Sequence, residues 1–535
     1  MRQRQEVWSQ LQQSWDLIVI GGGITGAGVF AEASRRGLRC LLLEQRDYAS
    51  GTSSRSGKLV HGGLRYLKQG QIKLTLQSVR EREHLLARYP GMVERLPFLM
   101  PLASASVSSR ITLKTGLSLY DLMAGRRTHH FRTAEQVLRE VPGMESISCF
   151  GGYRFEDAKT DDARLVLRVI EEGQQHGGSS VNYAKVTELM RDRQGQILGV
   201  TVCDECSGQY AEIKSSLVIN CTGIWTDQPP FAVQNGPPLR KLRGSHLLLQ
   251  HHRLPLQGAV SFFHPRDSRP VYAYPWEGAI LFGTTDIEHT QSLDTEPHMT
   301  GVEGTYLFEA LTAQFPHAKL GVEDVLSVYS GVRSVIDTGK ENPSEESREH
   351  AIWADAGFVS VTGGKLTTYR QLAVAVLHAA KLWLRGSYGV ARKSNSNVQE
   401  IKIPPLEKID GHGQLQSVHR LMQRYEDDVV REIWGNTSLE AQESLAGTGI
   451  SLAELMYAAR SEQVVHLDDL LWRRTRLGLI VHEGGVGLLP ELKQPIASML
   501  GWGEEMWTAE VTRYQNLWQS AYSPRLLSVQ SHEKG

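Results

Sequence analysis

Cysteine is scarce: five in 535 residues, at no repeated spacing. This excludes a disulfide framework and suits a reducing compartment. Cys203 and Cys206 form a single C-x-x-C. Without a second pair a four-ligand zinc site is not on offer, so a strand end and a turn are expected there, and no metal. Charge of one sign is also missing. A formal net charge of -1 gives no global attraction to nucleic acid. No run of about 18 apolar residues is free of charge, so no spanning helix is expected. The N-terminal "MRQRQEVWSQLQQSW" has no apolar core of a secretory signal. A cytoplasmic protein is the default expectation, with peripheral membrane attachment left open. What is present, 41% hydrophobic and 22% charged residues, is globular, and the length predicts two or three domains.

The densest signal lies near the start. "DLIVI" (16–20) reads as a buried strand, "GGGITGAGVFAEASRRG" as a tight turn into a helix closed by Gly37, and "LRCLLLE" as a second, parallel strand. Gly21, Gly23 and Gly26 make G-x-G-x-x-G at the strand–helix junction, and Ile24 and Thr25 open the helix. The three glycines serve a tight turn, close approach of backbone to pyrophosphate, and helix–strand packing. Glu44, followed by Gln45, stands 18 residues after Gly26, where a carboxylate accepts from a ribose and disfavours a 2′-phosphate. The fold class expected is α/β: a Rossmann-like dinucleotide domain with an inserted β-rich domain and a helical C-terminal domain.

After Glu44 the chain leaves this unit. It returns through a helix at "DDARLVLRVIEEGQQHGG", three strand-like pieces that include Val186, and the glycine-bearing "VINCTGIW" and "SVTGGKLTTY". Such distant returns suit FAD better than NAD. They place Thr222, Gly223, Trp225, Gly364, Leu366 and Thr367 among the cofactor contacts. "TSSRSGKLVHGGLRYL" (52–67) mimics a phosphate loop but is not one. Five residues separate Gly51 from Gly57, and Leu59 follows Lys58 where a hydroxyl should bind magnesium.

The ordered stretches "TSSRSGKLVHGGLRYL", "KTDDARLV", "GSHLLL", "GTTD", "YSGVR" and "GGKLTTYR", with "LDDLLWRRTRLGL" further on, resemble the FAD-dependent glycerol-3-phosphate dehydrogenases of the D-amino-acid-oxidase-like superfamily. The resemblance covers most of residues 15–390. It implies FAD as cofactor, sn-glycerol 3-phosphate as substrate, dihydroxyacetone phosphate as product, and a quinone, or oxygen in the oxidase branch, as electron acceptor. It implies that Thr52, Ser53, Ser54, Lys58, Leu59, His61, Gly62 and Gly63 line the flavin. Arg65, Arg333 and Arg348 then take the phosphate, with Tyr66 adding a hydroxyl. Arginine forks suit a phosphate dianion better than lysine does, although a surface ion pair is nearly as good a reading of Arg348. The family usually continues "YSGVR" with proline; here Ser334 follows.

A helix beginning at Lys365 is expected to aim its positive end and the Lys365 ammonium at the flavin N1 and O2 edge, where charge develops. Arg65, Arg333, Lys365 and His61 are the catalytic candidates. His61 and Tyr66 are both in reach as general base by sequence, and neither is assigned. The domains expected are FAD-binding (1–90, 151–232 and 355–395), substrate-binding (91–150 and 233–354) and C-terminal helical (396–535). "RITLKTGLSLYDLMAGRR" offers Arg110, Lys114, Arg126 and Arg127 to an anionic membrane surface, with a solvated segment as the plain alternative. A homodimer is left open. The competing functions are amine or amino-acid oxidation on the same fold, which needs an arginine for a carboxylate; a non-catalytic flavoprotein scaffold; and, more distantly, an NAD-dependent dehydrogenase.

Overall fold

The computed structural model describes the chain apart from residues 1, 69, 103–106, 145–148, 234–235, 237, 340–349, 385–411 and 528–535. A six-stranded sheet carries strands in the order Ala351–Asp355, Phe358–Thr362, Val218–Asn220, Leu17–Ile20, Cys40–Leu43 and Ser179–Val181. All neighbours are parallel except the first pair. The fully apolar strands Leu17–Ile20 and Cys40–Leu43 are buried on both faces, as parallel strands must be. Helices Ile24–Arg35, Asp162–Gln175 and Tyr369–Ala379 cover one face, and the antiparallel meander Ala184–Arg191, Ile197–Asp204 and Tyr210–Lys214 lies over the other.

The helix expected after "KTDD" forms with Asp161 as its N-cap, and Ala163, Val166, Leu167 and Ile170 are buried on it. Gly37, at φ 83°, follows the first helix, a conformation that favours glycine. Cys203 is the penultimate residue of strand Ile197–Asp204 and Cys206 stands in the following turn.

A ten-stranded mixed sheet forms the second layer system, with Leu239–Gln250 and Val325–Ile336 paired antiparallel at one end of it. Strands Leu59–Val60 and Gly152–Thr160 also belong to it. The expected boundary at residue 151 therefore falls just before a strand of the large sheet; alternation marks a strand but not its partner. The C-terminal region, from helix His412–Arg424 to helix Glu504–Ala521, is helical. Its apolar face packs on the large sheet through Leu470, Trp472, Tyr514 and Trp518 against residues such as Tyr274 and Tyr329. Among the described residues no helix is long and apolar enough to cross a membrane.

The helix expected to begin at Lys365 starts later. Lys365 is extended, one 3-10 turn covers Leu366–Thr368, and the α-helix runs from Tyr369 to Ala379. Tyr369 packs where a Cβ on Gly28 would come within 2.7 Å of its ring, so a tyrosine at the start of one helix is matched to a glycine inside another.

Candidate functional site

The glycine turn is built by close approach of backbone. A Cβ on Gly21 would lie 2.5 Å from the Cys221 carbonyl oxygen, and one on Gly26 would lie 1.8 Å from that of Gly21. Gly21 itself is at φ 106°. Helix Ile24–Arg35 thus starts against the strand ends, with Gly23 as an N-cap that offers no side chain. Its first N–H groups face the segment 52–54, whose Ser53 Oγ accepts from Ile24 N at 2.9 Å. Glu44 Oε2 accepts from Gly22 N at 2.6 Å and Oε1 from Arg46 N at 2.9 Å. Burial pushes this carboxyl up, against the pull of those two N–H groups. Each oxygen keeps a lone pair for a further donor such as a ribose hydroxyl. A side-chain-free turn, a helix start and a part-satisfied acid are the surroundings a dinucleotide requires. FAD fits them.

Thr52 Oγ1 donates to the Val332 carbonyl, which ties the segment to the strand bearing Arg333. Trp225 stands beside Gly51, and the Arg46 guanidinium lies 5.6 Å from its ring centre. Thr222 N and Oγ1 both donate to Asn220 Oδ1, at 3.1 and 2.7 Å, in the turn that leads to Gly223. Gln45 and Thr25 are half-buried. Val186 is buried between the meander and the parallel sheet, so its side chain belongs to the packing.

Lys58 requires a correction. Its side chain is fully buried, and Nζ donates to Ser54 O at 2.6 Å and to Asp162 Oδ1 and Oδ2 at 2.8 and 3.0 Å. The ammonium also lies 4.8 Å from the Tyr329 ring centre. Burial, aided by Arg476, lowers its pKa to about 8 against the attraction of Asp162. Its backbone N–H and carbonyl are used by Ser56 Oγ and Thr160 N. Lys58 is a buried strut beneath the segment and not a cofactor ligand. Leu59 beside it pairs with Lys159 in the large sheet.

His61, Gly62 and Gly63 form the turn that follows. The Gly62 N–H donates to Asp157 Oδ1 at 2.9 Å, and the same carboxylate accepts from Arg82 Nη1 at 2.7 Å and from Tyr120 OH at 2.9 Å. A Cβ on Gly62 would meet Tyr120 OH at 2.3 Å and Val79 at 2.5 Å. Tyr66 is buried; its ring centre is 6.3 Å from that of His61 and 3.7 Å from Lys365 Nζ. "HGGLRYL" and "GGKLTTYR" therefore meet. Gly363 and Gly364, at φ 75° and 95°, form the turn that delivers Lys365, and Thr367 is buried behind it. Arg65 is on the short helix Leu64–Lys68; its side chain, and all of Arg348, lie outside the described residues.

Arg333 donates through Nη2 to Asp286 Oδ1, and Arg269 lies 3.6 Å from the other carboxylate oxygen. The "GTTD" acid thus orients the "YSGVR" arginine. The strand runs unbroken through Ser334 to Ile336, so the residue standing where the family has proline does not interrupt it. Sequence reasoning missed His246, in "GSHLLL". Its ring stacks on Tyr329 with centroids 4.8 Å apart, beside Gly57 and Gly283, and its Nδ1 is buried without a hydrogen-bond partner among the described residues. Burial, together with the positive charges of Lys58 and Arg333, lowers its pKa to about 3. A histidine inside an apolar strand looks like core in sequence; only the neighbours distinguish it.

Known proteins agree with this construction. A model of the FAD-dependent oxidoreductases matches residues 16–370, and one for the C-terminal domain of alpha-glycerophosphate oxidase matches residues 378–506. An aerobic glycerol-3-phosphate dehydrogenase of Staphylococcus haemolyticus is 32% identical over 88% of each chain. That of Bacillus subtilis is 36% identical over 68% of this chain and 66% of its own. The crystal structure of a glycerol-3-phosphate dehydrogenase from Bacillus halodurans, complexed with FAD, superposes with a TM-score of 0.75 at 26% identity over 97% of both chains. The chain belongs to the FAD-dependent oxidoreductases, in the branch of the aerobic glycerol-3-phosphate dehydrogenases.

Proposed function

We propose that the protein oxidises sn-glycerol 3-phosphate to dihydroxyacetone phosphate and passes the electrons to a membrane quinone. The observation that carries this reading is the meeting of cations around the segment 52–66: Arg333 held by Asp286, with Val332 tied to Thr52, and Lys365 over Tyr66. FAD, when bound, supplies the hydride acceptor. Arg333, with Arg65 and Arg348 by resemblance, binds the phosphate dianion. Lys365 stabilises negative charge next to the reacting atoms.

His246 is the group we assign to the alcohol proton, because its ring is neutral and its Nδ1 has no hydrogen-bond partner among the described residues. A dianion bound at Arg333 offsets the cation that depresses the imidazole, so substrate binding raises its basicity toward the working range. His61, whose ring centre lies 6.3 Å from that of Tyr66, is the second candidate.

Helix Val107–Ala124 supports the membrane contact. Its outer face exposes Ile111 (59%), Leu119 and Leu122 (76%), and its inner face holds Leu117 and Tyr120. Lys114, Arg126 and Arg127 are exposed around it. An apolar face rimmed by cations suits an anionic lipid surface, where a quinone resides.

The test is the visible spectrum of the purified protein under anaerobic addition of sn-glycerol 3-phosphate. Bleaching of the oxidised flavin bands, with recovery on adding a short-chain quinone, is expected. Flavin that stays oxidised with this substrate yet is reduced by an amine or amino acid overturns the substrate.

A further inference from the structure

The two motifs that the proposed reaction leaves unused, "KTDDARLV" and "LDDLLWRRTRLGL", meet each other and the cofactor loops. Two loops flank the glycine turn. In the first, residues 44–50, Ala49 N donates to Gly22 O at 3.0 Å and the Tyr48 ring would contact a Cβ on Gly22 at 2.8 Å. In the second, residues 52–58, Ser53 accepts from the first helix. Each loop is fixed from below by a buried carboxylate.

Asp47, fully buried in the first loop, receives a two-pronged fork from Arg474: Nη1 to Oδ2 at 2.6 Å and Nη2 to Oδ1 at 2.8 Å, with Arg473 Nε on Oδ2 as well. Under the second loop, Asp162 accepts from Ser56 N at 3.0 Å, Ser56 Oγ at 2.7 Å and Lys58 Nζ. Asp161 accepts from Arg476 Nε at 2.9 Å and Nη2 at 2.7 Å, and the same Nη2 reaches Asp162. All three arginines come from one turn of the C-terminal domain, a π-helical stretch Asp469–Arg474 followed by Arg476 at φ 70°.

Buried ion pairs add little net stability, because desolvation offsets their attraction. What planar forks do supply is a fixed geometry. We propose that Arg474 and Arg476 are positioning residues for the cofactor. They clamp the loops 44–50 and 52–58 on either side of the glycine turn, so that FAD affinity is set from the C-terminal domain. The proposal rests on the reading of these two loops as walls of the cofactor cleft.

The test uses full-length protein stripped of flavin. FAD is titrated into the wild type, Arg474→Lys and Arg476→Lys, which keep the charge and lose the fork, and into Ser53→Ala as a variant of the loop itself. Ile433→Ala, in the separate apolar cluster of the helical domain that holds Leu421 and Val430, controls for plain destabilisation. Both arginine variants are expected to bind FAD about tenfold more weakly or worse, a size usual for linked sites. Their melting temperature without flavin should fall no further than that of Ile433→Ala.

Unchanged FAD affinity in both arginine variants, with Ser53→Ala weakened, overturns the clamp alone. Unchanged affinity in all three overturns the reading of the loops. Amide exchange in the wild type decides the matter even where a variant does not fold. Binding of FAD should slow exchange in 44–58 and in 469–476 together, and slowing confined to 44–58 overturns the proposal.

Discussion

Lys365 holds its ammonium 3.7 Å above the centre of the Tyr66 ring, joining two glycine-rich segments that lie about 300 residues apart in the chain. Lys365→Met keeps the length of the side chain and removes its charge. Flavin content should persist while the reduced form loses a stabilising cation. The midpoint potential is expected to move negative by about 30 mV or more, and kcat to fall about a hundredfold. Redox titration against a reference dye, beside steady-state rates, checks both. A potential identical to that of the wild type would remove Lys365 from the flavin's surroundings.

His246 makes a pH prediction. The neutral imidazole accepts the proton, so activity is lost as pH falls through its pKa. That value is about 3 in the free enzyme, so kcat/KM should show no acid limb from this group above about pH 5. A bound dianion raises the pKa, so kcat should show an acid limb at higher pH. Stability has the same sign. Between about 3 and the usual 6.5 the folded ring binds fewer protons than the unfolded one. Stability therefore falls as pH falls across that window, by at most about 1.4 kcal/mol per pH unit from this group. His246→Asn should flatten that slope and abolish turnover. Retention of the kcat limb in this variant would assign the base elsewhere, with His61 next.

Two glycines give opposite expectations for the same substitution. Gly26→Ala places a Cβ 1.8 Å from the Gly21 carbonyl oxygen and should yield colourless protein. Gly116, inside helix Val107–Ala124, has open space around it among the described residues. Gly116→Ala should stabilise that helix by roughly 0.5–1 kcal/mol. Thermal melts and flavin content of the two purified variants separate the cases.

The outer face of helix Val107–Ala124 can be tested by flotation with anionic vesicles. Leu122→Asp and Ile111→Asp should detach the protein while leaving reduction by sn-glycerol 3-phosphate intact. Arg126→Glu with Arg127→Glu should weaken binding at low salt and leave the remainder less sensitive to salt. Binding unaffected by all four changes would place the contact on another surface.

The cofactor cradle was legible in the sequence because its constraints are local. Gly21, Gly23 and Gly26 serve one turn, the apolar runs before and after them are adjacent strands, and Glu44 ends the second strand. Backbone geometry and a two-strand spacing suffice to write them in a few tens of residues. The roles of the charged residues were not legible in this way. Lys58 and Lys365 both follow a glycine and precede a leucine, yet one is sealed against Asp162 and the other reaches Tyr66. His246 reads as strand core until Gly57, Tyr329 and Arg333 surround it. Asp161 looks like a helix cap, which it is, but its partner Arg476 lies 315 residues away. Burial and pairing fix what an ionisable group does, and both depend on contacts between distant segments that leave no period or spacing behind. The sequence by itself determined the nucleotide fold and the family; the tertiary structure decided which cations are sealed against buried carboxylates and which stand over the glycine-rich turns.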